Sequence, residues 1–348
     1  MPTLRPIFVL AAGLAGAVHA QGEKEYPAPP PPPYVTPDTP QGSGPFKAVM
    51  EADPGLPTHT VYRPADMERL GAGKLPIVAW GNGACLNVGN RFRYFLTEIA
   101  SHGFLAIATG PIGPKEAEGR ATSASLRGNP APGSPGALRQ LPPDVKPRPA
   151  DTTAAQLLDA VTWAIAENSR KGSQYYGRLD TSKVAVMGQS CGGVQAIDAA
   201  HDPRVTTLGV WNSGAWPVKG RGWELAAARA DKEDVKTLKV SAIYISGEPA
   251  EVAFKNADAD YELLSGVPAF RGWRENTGHG GTYREPDGGE FAEVATAWLQ
   301  WQLKGDQAAA RMFTGVDCGL CQRPHWHTKS KNLGAVAATA GHPKKETQ

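Results

Sequence analysis

The sequence has no excess of charge of either sign. Its 36 Lys and Arg residues oppose 34 Asp and Glu residues, which leaves a formal charge of +2 at pH 7. Proteins that bind nucleic acid or acidic surfaces usually carry a concentrated positive field. The composition therefore gives no reason to expect either partner.

Long hydrophobic runs are missing after the first twenty residues, and there is no internal repeat. Residues 1–20 combine Arg5, an apolar stretch from Ile7 to Val18 and a small-residue cleavage site ending at Ala20, which is typical of a secretory signal peptide. The apolar stretch is shorter than the roughly 20 residues of a membrane span. We expect a mature protein that begins near Gln21, is secreted or periplasmic, and does not insert stably into a membrane.

Cysteine is scarce, and the chain has only Cys85, Cys191, Cys318 and Cys321. Disulfides persist in an oxidising compartment, and four cysteines allow three pairings that sequence alone cannot decide. A zinc site is the alternative for the last pair, with four ligands: Cys318, Cys321, His325 and His327. The short tail and the oxidising compartment favour the disulfide, so we expect neither metal nor cofactor.

Glycine and proline are abundant, at 40 and 31 residues, but the prolines are concentrated. Nine lie between Pro27 and Pro45, where the sequence predicts a stiff, solvated linker, and nine more lie between Pro111 and Pro149. The predicted organisation has four parts: a signal peptide at 1–20, a Pro-rich linker at 21–47, a folded domain at 48–305 with an insertion at 111–150, and an extension at 306–348.

The rest of the chain alternates short apolar runs with segments of helical period, which predicts an α/β fold with a largely parallel sheet. The predicted strands are 58–62, 76–80, 104–109, 184–187, 207–211, 240–246 and 271–275. The predicted helices are 91–101, 152–168, 192–200, 256–265 and 291–304. Asp151 is a suitable N-cap for the second helix, and Gly305 a suitable stop for the last.

One motif carries chemistry. The strand ending at Met187 runs into Gly188-Gln189-Ser190-Cys191-Gly192, and a helical pattern follows. This is G-x-S-x-G in a strand-turn-helix context, where glycines permit a sharp turn that exposes the serine hydroxyl. The helix N-terminus then faces the site and favours developing negative charge. Ser190 is the predicted nucleophile, rather than Cys191, because the serine occupies the apex.

With this motif the chain resembles the α/β-hydrolase superfamily, and within it secreted serine esterases of the dienelactone-hydrolase, cutinase and polyester-hydrolase type. The resemblance covers approximately residues 49–304. It implies the α/β-hydrolase fold, in which a mostly parallel central sheet carries helices on both faces. It also implies a catalytic triad in the chain order serine, acid, histidine.

The resemblance assigns the base and the acid. His279 lies in a glycine-rich loop after a predicted strand, where the superfamily has its base, whereas His201 ends the nucleophile helix and His325 and His327 follow the last helix. Glu248 and Glu251 both follow the strand 240–246, and the spacing favours Glu251 as the acid. Cutinases and polyester hydrolases normally use Asp there.

The resemblance also suggests the oxyanion donors and a disulfide. One N–H should come from Cys191, and the other from the turn after the strand 76–80, where Ala84 is favoured over Gly83 and Cys85. The strands before Cys85 and Cys191 are neighbours in the superfamily's sheet, so these cysteines are expected to pair. Cys318 and Cys321 would then close a short loop.

Trp211 and Trp216 follow the next strand and are candidates for a wall of the substrate pocket, with a role as core or rim aromatics as the alternative. The insertion has few large apolar residues, which argues against a lipase lid. The expected substrate is a small-molecule or polymeric ester of the short-chain, aryl or accessible polymer type, rather than a long-chain triglyceride. A secreted peptidase on the same fold and a non-catalytic binding module are the competing functions.

Overall fold

The computed structural model describes residues 39–113, 152–217 and 228–334. The predicted signal peptide, most of the linker and most of the insertion lie outside these residues, as does the end of the extension. The last part of the linker is described and is held against helix α1 (Arg93–Ser101). There the Ser43 hydroxyl donates to the Glu98 carboxylate at 2.7 Å, and the Phe46 N–H donates to the Ser101 carbonyl at 3.0 Å.

The core of the fold is a single nine-stranded sheet. Its strands are β1 (Ala48–Glu51), β2 (His59–Pro64), β3 (Leu75–Gly81), β4 (Leu105–Thr109), β5 (Leu179–Gln189), β6 (Thr207–Trp211), β7 (Ser241–Ser246), β8 (Ala269–Arg274) and β9 (Trp326–Lys331). They lie side by side in the order β1-β2-β4-β3-β5-β6-β7-β8-β9. All neighbours from β4 to β8 are parallel, and the β1/β2, β2/β4 and β8/β9 pairs are antiparallel. The α/β class with a mostly parallel sheet is thereby confirmed.

The sheet continues beyond the predicted folded domain. β9 pairs with β8 in a register that sets His327 opposite Trp273, so one strand of the sheet comes from the segment 306–348 that the sequence suggested as an extension. The strand escaped prediction because its sequence, Trp-His-Thr-Lys-Ser-Lys, has no apolar run. β1 was missed for a related reason, since four residues at a sheet edge give too short a pattern.

Helices cover both faces of the sheet. Besides α1 they are α2 (Ala154–Ser169), α3 (Cys191–Ala199), α4 (Lys232–Lys236), α5 (Phe254–Leu263), α6 (Gly289–Lys304) and α7 (Gln307–Ala310). Alternate residues of each strand point to opposite faces. One face packs apolar side chains against α2, α3, α4 and α5, and the other packs them against α1 and α6. Among the described residues no helix is long and apolar enough to cross a membrane.

Local sequence sets the helix ends. α2 begins with Thr153 as N-cap, in a capping box with Gln156, whose Oε1 accepts the Thr153 N–H at 2.8 Å. This start is two residues later than predicted. α6 ends at Gly305, whose φ of 72° is the left-handed conformation that glycine adopts at low cost.

The fold brings five loops to one edge of the sheet. Parallel strands share a direction, so the segments that follow β3, β5, β6, β7 and β8 all leave at their carboxyl ends. These segments contain every residue of the predicted triad and both predicted oxyanion donors.

Candidate active site

Ser190 occupies a strained turn between β5 and α3. Its φ of 53° and ψ of −120° are unusual for a residue with a side chain. The Ser190 N–H donates to the Trp211 carbonyl at 3.0 Å, and the Ser213 hydroxyl donates to the Ser190 carbonyl at 2.5 Å. These two hydrogen bonds fix the turn from the adjacent strand β6.

The two glycines of the motif are required by close backbone contacts. A Cβ on Gly188 would lie 2.2 Å from the Gly192 carbonyl oxygen, and a Cβ on Gly192 would lie 2.0 Å from the Gly81 oxygen. Both distances are far inside van der Waals contact. The absence of side chains therefore lets the start of α3 approach the end of β3.

His279 bridges Ser190 and Glu251. Its Nε2 is 2.9 Å from Ser190 Oγ, and its Nδ1 is 2.8 Å from Glu251 Oε2. With the Nδ1 proton donated to the carboxylate, Nε2 is free to accept the serine proton. The imidazole is 34% exposed, whereas the Glu251 side chain is fully buried. The structure thus brings the three residues together in the order that proton transfer from serine needs.

The acid loop also rests on backbone contacts. Glu251 Oε2 accepts the Ala253 N–H at 2.9 Å, and the Glu248 N–H donates to the Thr277 carbonyl at 2.8 Å. In the described part of the chain, the imidazole of His279 is hydrogen-bonded to the carboxylate of Glu251 and not to that of Glu248. Of the two glutamates, only Glu251 is therefore in a position to orient the imidazole.

Two buried groups adjoin the carboxylate of Glu251. Burial lowers the pKa of Arg271, and the negative charges of Asp258 and Glu251 counteract this shift. The Arg271 guanidinium donates to Asp258 at 2.9 Å and to the Ser246 hydroxyl at 2.8 Å. Burial, followed by the charge of Glu251, raises the pKa of Tyr283 well above its usual value, so the phenol stays protonated. Arg271 therefore supplies positive charge near the acid.

The turn after β3 is tied directly to the serine turn. Ala84 and Cys85 have φ values of 55° and 51° in a short 3₁₀ turn, and Cys85 forms a disulfide with Cys191 across a Cα–Cα distance of 5.2 Å. The Ala84 N–H meets no acceptor among the described residues. The Cys191 N–H is the first of α3 and lacks an intrahelical acceptor. The disulfide thus joins two turns that each offer a backbone donor.

The second disulfide joins Cys318 to Cys321, so both pairings expected from the sequence are present. Because their sulfurs are bonded to each other, these cysteines are not available as the thiolate ligands of the alternative zinc site. His325 and His327 instead contact the Glu275 carboxylate, at 3.2 and 2.7 Å. Within the described residues, no three His, Cys, Asp or Glu side chains are grouped so that they could hold a metal ion.

Trp211 does not line a pocket, contrary to the prediction. Its side chain is fully buried and packs between Phe95 and Phe291, with ring centroids 5.4 and 6.0 Å apart. Trp211 is the last residue of β6, and its side chain points to the core face covered by α1 and α6. It is a core aromatic, which was the alternative interpretation.

Trp216 is half-buried, and hydrogen bonds to Ala228 and Asp260 hold its loop. The indole N–H donates to the Ala228 carbonyl at 2.7 Å, and the Ala215 N–H donates to Asp260 at 2.7 Å. Asp260 is fully buried and pairs with Lys232 at 2.5 Å. Burial outweighs this ion pair and raises the pKa of Asp260 to about 6.

A shallow cavity of about 640 Å³ lies elsewhere, lined in part by Arg63, Met67 and Arg178. Arg178 immediately precedes β5, so this cavity is at the amino end of the parallel strands. It is therefore on the opposite edge of the sheet from Ser190.

His201 follows the end of α3 and does not contact Ser190. Its imidazole instead contacts the Asp234 carbonyl in α4 and the Thr237 hydroxyl.

Three residues near the triad escaped the sequence analysis. The Tyr283 hydroxyl donates to Asn212 Oδ1 at 2.7 Å, and Asn212 Nδ2 donates to the Gly278 carbonyl at 3.4 Å. Gln189 Nε2 donates to the His279 carbonyl at 3.1 Å. Asn212 follows the end of β6 and Gln189 precedes Ser190. These positions were the signals in the sequence that could have placed both residues near the triad.

No protein-family model matches the chain, and no curated protein matches it significantly.

Proposed function

We propose that the protein is a secreted serine hydrolase that cleaves carboxylic esters through an acyl-enzyme, on an α/β-hydrolase fold. The observation that carries the proposal is the pair of contacts made by His279, at 2.9 Å to Ser190 and 2.8 Å to Glu251. A serine hydroxyl next to an oriented, neutral imidazole is the arrangement that activates this nucleophile. Its setting in a strained strand-turn-helix supports the same function.

In the first half of the reaction, Ser190 Oγ attacks the acyl carbon while His279 Nε2 accepts the serine proton. The negative oxygen of the tetrahedral intermediate receives hydrogen bonds from the Cys191 and Ala84 N–H groups. His279 then gives its proton to the leaving alkoxide, the acyl carbon–oxygen bond breaks, and an alcohol departs. Ser190 retains the acyl group as an ester.

In the second half, water attacks the acyl-enzyme. His279 Nε2 accepts a proton from the water, and collapse of the second intermediate returns that proton to Ser190 Oγ and releases the acid. No proton is transferred to Glu251 in either half. Glu251 holds the Nδ1 proton and stabilises the imidazolium that forms in both halves.

The substrate we propose is a short-chain, aryl or polymer ester. The support is compositional, because the segment 111–150 has few large apolar residues with which to cover a long acyl chain. Export is proposed on the signal-like residues 1–20 and on the two disulfides, which persist in oxidising compartments.

Hydrolysis of p-nitrophenyl acetate and butyrate tests this function. We expect turnover by the wild type and none above background for Ser190→Ala. A fluorophosphonate probe should label the wild type at Ser190, with loss of fluoride, and should not label the variant. Failure of the wild type to hydrolyse any ester would overturn the proposal, and faster cleavage of peptides than of every ester would reassign the protein as a peptidase.

A further inference from the structure

The loop that carries His279 is held by its carbonyl groups. Three consecutive carbonyls of this loop each accept a hydrogen bond from a different neighbouring loop. The donors and acceptors are Glu248 N–H to Thr277 O at 2.8 Å, Asn212 Nδ2 to Gly278 O at 3.4 Å, and Gln189 Nε2 to His279 O at 3.1 Å. The acid loop, the β6 loop and the serine turn thus each hold one peptide of the loop.

Within the loop, the Gly281 N–H donates to the Gly278 carbonyl at 3.1 Å, and Arg274 donates to the Thr277 hydroxyl at 2.9 Å, but two of its glycines are not packed. A Cβ built on Gly278 or Gly280 would meet no atom within 4 Å, so neither position is packed against a neighbour. Glycine also loses more conformational freedom on folding than any other residue. The hydrogen bonds to the loop carbonyls therefore help to position the imidazole, together with its own contact with Glu251.

Among the three donor residues, only Gln189 is joined to Ser190 by a peptide bond. Gln189 is 5% exposed and directly precedes Ser190, whose backbone is held by β6. A hydrogen bond from the Gln189 side chain to the carbonyl of His279 ties the backbone of the base to the backbone of the nucleophile. The hydrogen bond therefore restrains the distance between Ser190 Oγ and His279 Nε2.

The Gln189 side chain is confined on its other side as well. A Cβ on Gly83 would lie 2.0 Å from Gln189 Oε1, so the amide lies directly against the turn that follows β3. The side chain therefore fills the space between that turn and the His279 loop. Its amide has little room to rotate away from the His279 carbonyl.

We propose that Gln189 is a positioning residue, which acts through His279 and holds the imidazole within proton-transfer distance of Ser190. This inference rests on the proposed esterase function. A displacement of about 1 Å in a reacting group can lower a rate by roughly 10²-fold. Loss of the amide donor should therefore lower kcat and leave KM, which reflects the substrate's own contacts, nearly unchanged.

The experiment compares two variants with the wild type on p-nitrophenyl butyrate. Gln189→Glu is nearly isosteric but, when ionised, cannot donate to the His279 carbonyl, and Gln189→Met keeps the length without any donor. We expect kcat to fall roughly 10- to 100-fold in both variants, with KM within about threefold of the wild type. Thermal unfolding is measured on each variant, and if Gln189→Glu does not fold, Gln189→Met decides.

The pH profile separates positioning from a general structural defect. As the pH falls, the carboxyl introduced by Gln189→Glu becomes protonated and can donate again, so its deficit relative to the wild type should shrink. The deficit of Gln189→Met should stay constant. Gln300→Glu is the matched control, because Gln300 contacts His102 at the opposite edge of the sheet, and it should retain wild-type kcat.

Two results would overturn the inference while leaving the esterase function standing. One is kcat within twofold of the wild type in both variants. The other is a loss that is independent of pH in both variants and is accompanied by a matching fall in Tm. An inactive wild type that the fluorophosphonate also fails to label would instead remove the proposed function, and the positioning role with it.

Discussion

Glu248 and Glu251 lie in the same loop, but they meet the His279 segment in different ways. Glu251 contacts the imidazole through a fully buried carboxylate, whereas Glu248 contacts the Thr277 carbonyl through its backbone N–H. A side-chain substitution at Glu248 leaves that backbone contact in place. The two positions can therefore be tested with the same chemical change.

We expect Glu251→Gln to lower kcat by roughly 10³- to 10⁴-fold, because an amide in this position no longer stabilises the imidazolium and can favour the wrong tautomer. Glu248→Gln should retain activity within a few-fold. Steady-state kinetics of the two variants on p-nitrophenyl butyrate check this. The reverse order of effects would make Glu248 the acid.

The disulfide between Cys85 and Cys191 should matter both for stability and for turnover. It closes a loop across 106 residues, which corresponds to about 4 to 5 kcal/mol of chain entropy, against about 2 kcal/mol for the short Cys318–Cys321 loop. Replacing Cys85 and Cys191 together by Ala should lower the free energy of unfolding strongly and lower kcat, since the turns that carry the two proposed oxyanion donors lose their link.

The paired replacement of Cys318 and Cys321 by Ala is the control for that experiment. Urea unfolding measures the free energy of unfolding of each double variant. Ester kinetics without urea, at a temperature well below each Tm, measure kcat. If kcat falls by the same factor in both double variants, the Cys85–Cys191 disulfide has no specific role in turnover.

Asp260 should make stability depend on pH below neutrality. Burial raises its pKa from 3.8 to about 6 in the folded protein. A raised carboxyl pKa contributes stability that is fully present below the unfolded value and is lost as the pH rises through the folded value. The free energy of unfolding should therefore fall by as much as about 3 kcal/mol from this group between roughly pH 4 and pH 6.

The double variant Asp260→Asn with Lys232→Met should lack this step, because it removes both buried charges. Glu233→Gln with Lys236→Met removes an ion pair whose side chains are largely exposed and should keep the wild-type profile. Urea unfolding at several pH values distinguishes them. An unchanged profile in the Asp260 variant would mean that the ion pair is ionised throughout this range.

Gly192→Ala should disrupt the site, because its Cβ would lie 2.0 Å from the Gly81 oxygen and only a backbone shift can relieve that contact. We expect a lower Tm and a large loss of kcat. Gly280→Ala introduces the same methyl group into open space in the His279 loop and should leave Tm close to that of the wild type. Equal Tm values for the two variants would contradict the packing argument.

The sequence was informative wherever local chemistry dictates local structure. The G-x-S-x-G turn and the C-terminal glycine of α6 follow from steric rules that act within a few residues, and the parallel sheet follows from the alternation of apolar runs with helical segments. Trp211 was ambiguous because an aromatic residue at a strand end can face the core or the site, and only the sheet register decides which. The hydrogen bond from Gln189 to His279 joins residues 90 positions apart, so no local pattern could reveal it.

β9 also determines how far a recombinant fragment of this chain must extend. It covers the outer edge of β8, and its own outward edge carries Lys329 and Lys331, residues that discourage edge-to-edge aggregation of sheets. A recombinant fragment that stops at residue 305 would expose the hydrogen-bonding groups of β8, together with the apolar surface that Trp326 covers. We therefore expect soluble expression of this fold to need a chain that extends at least through Lys331.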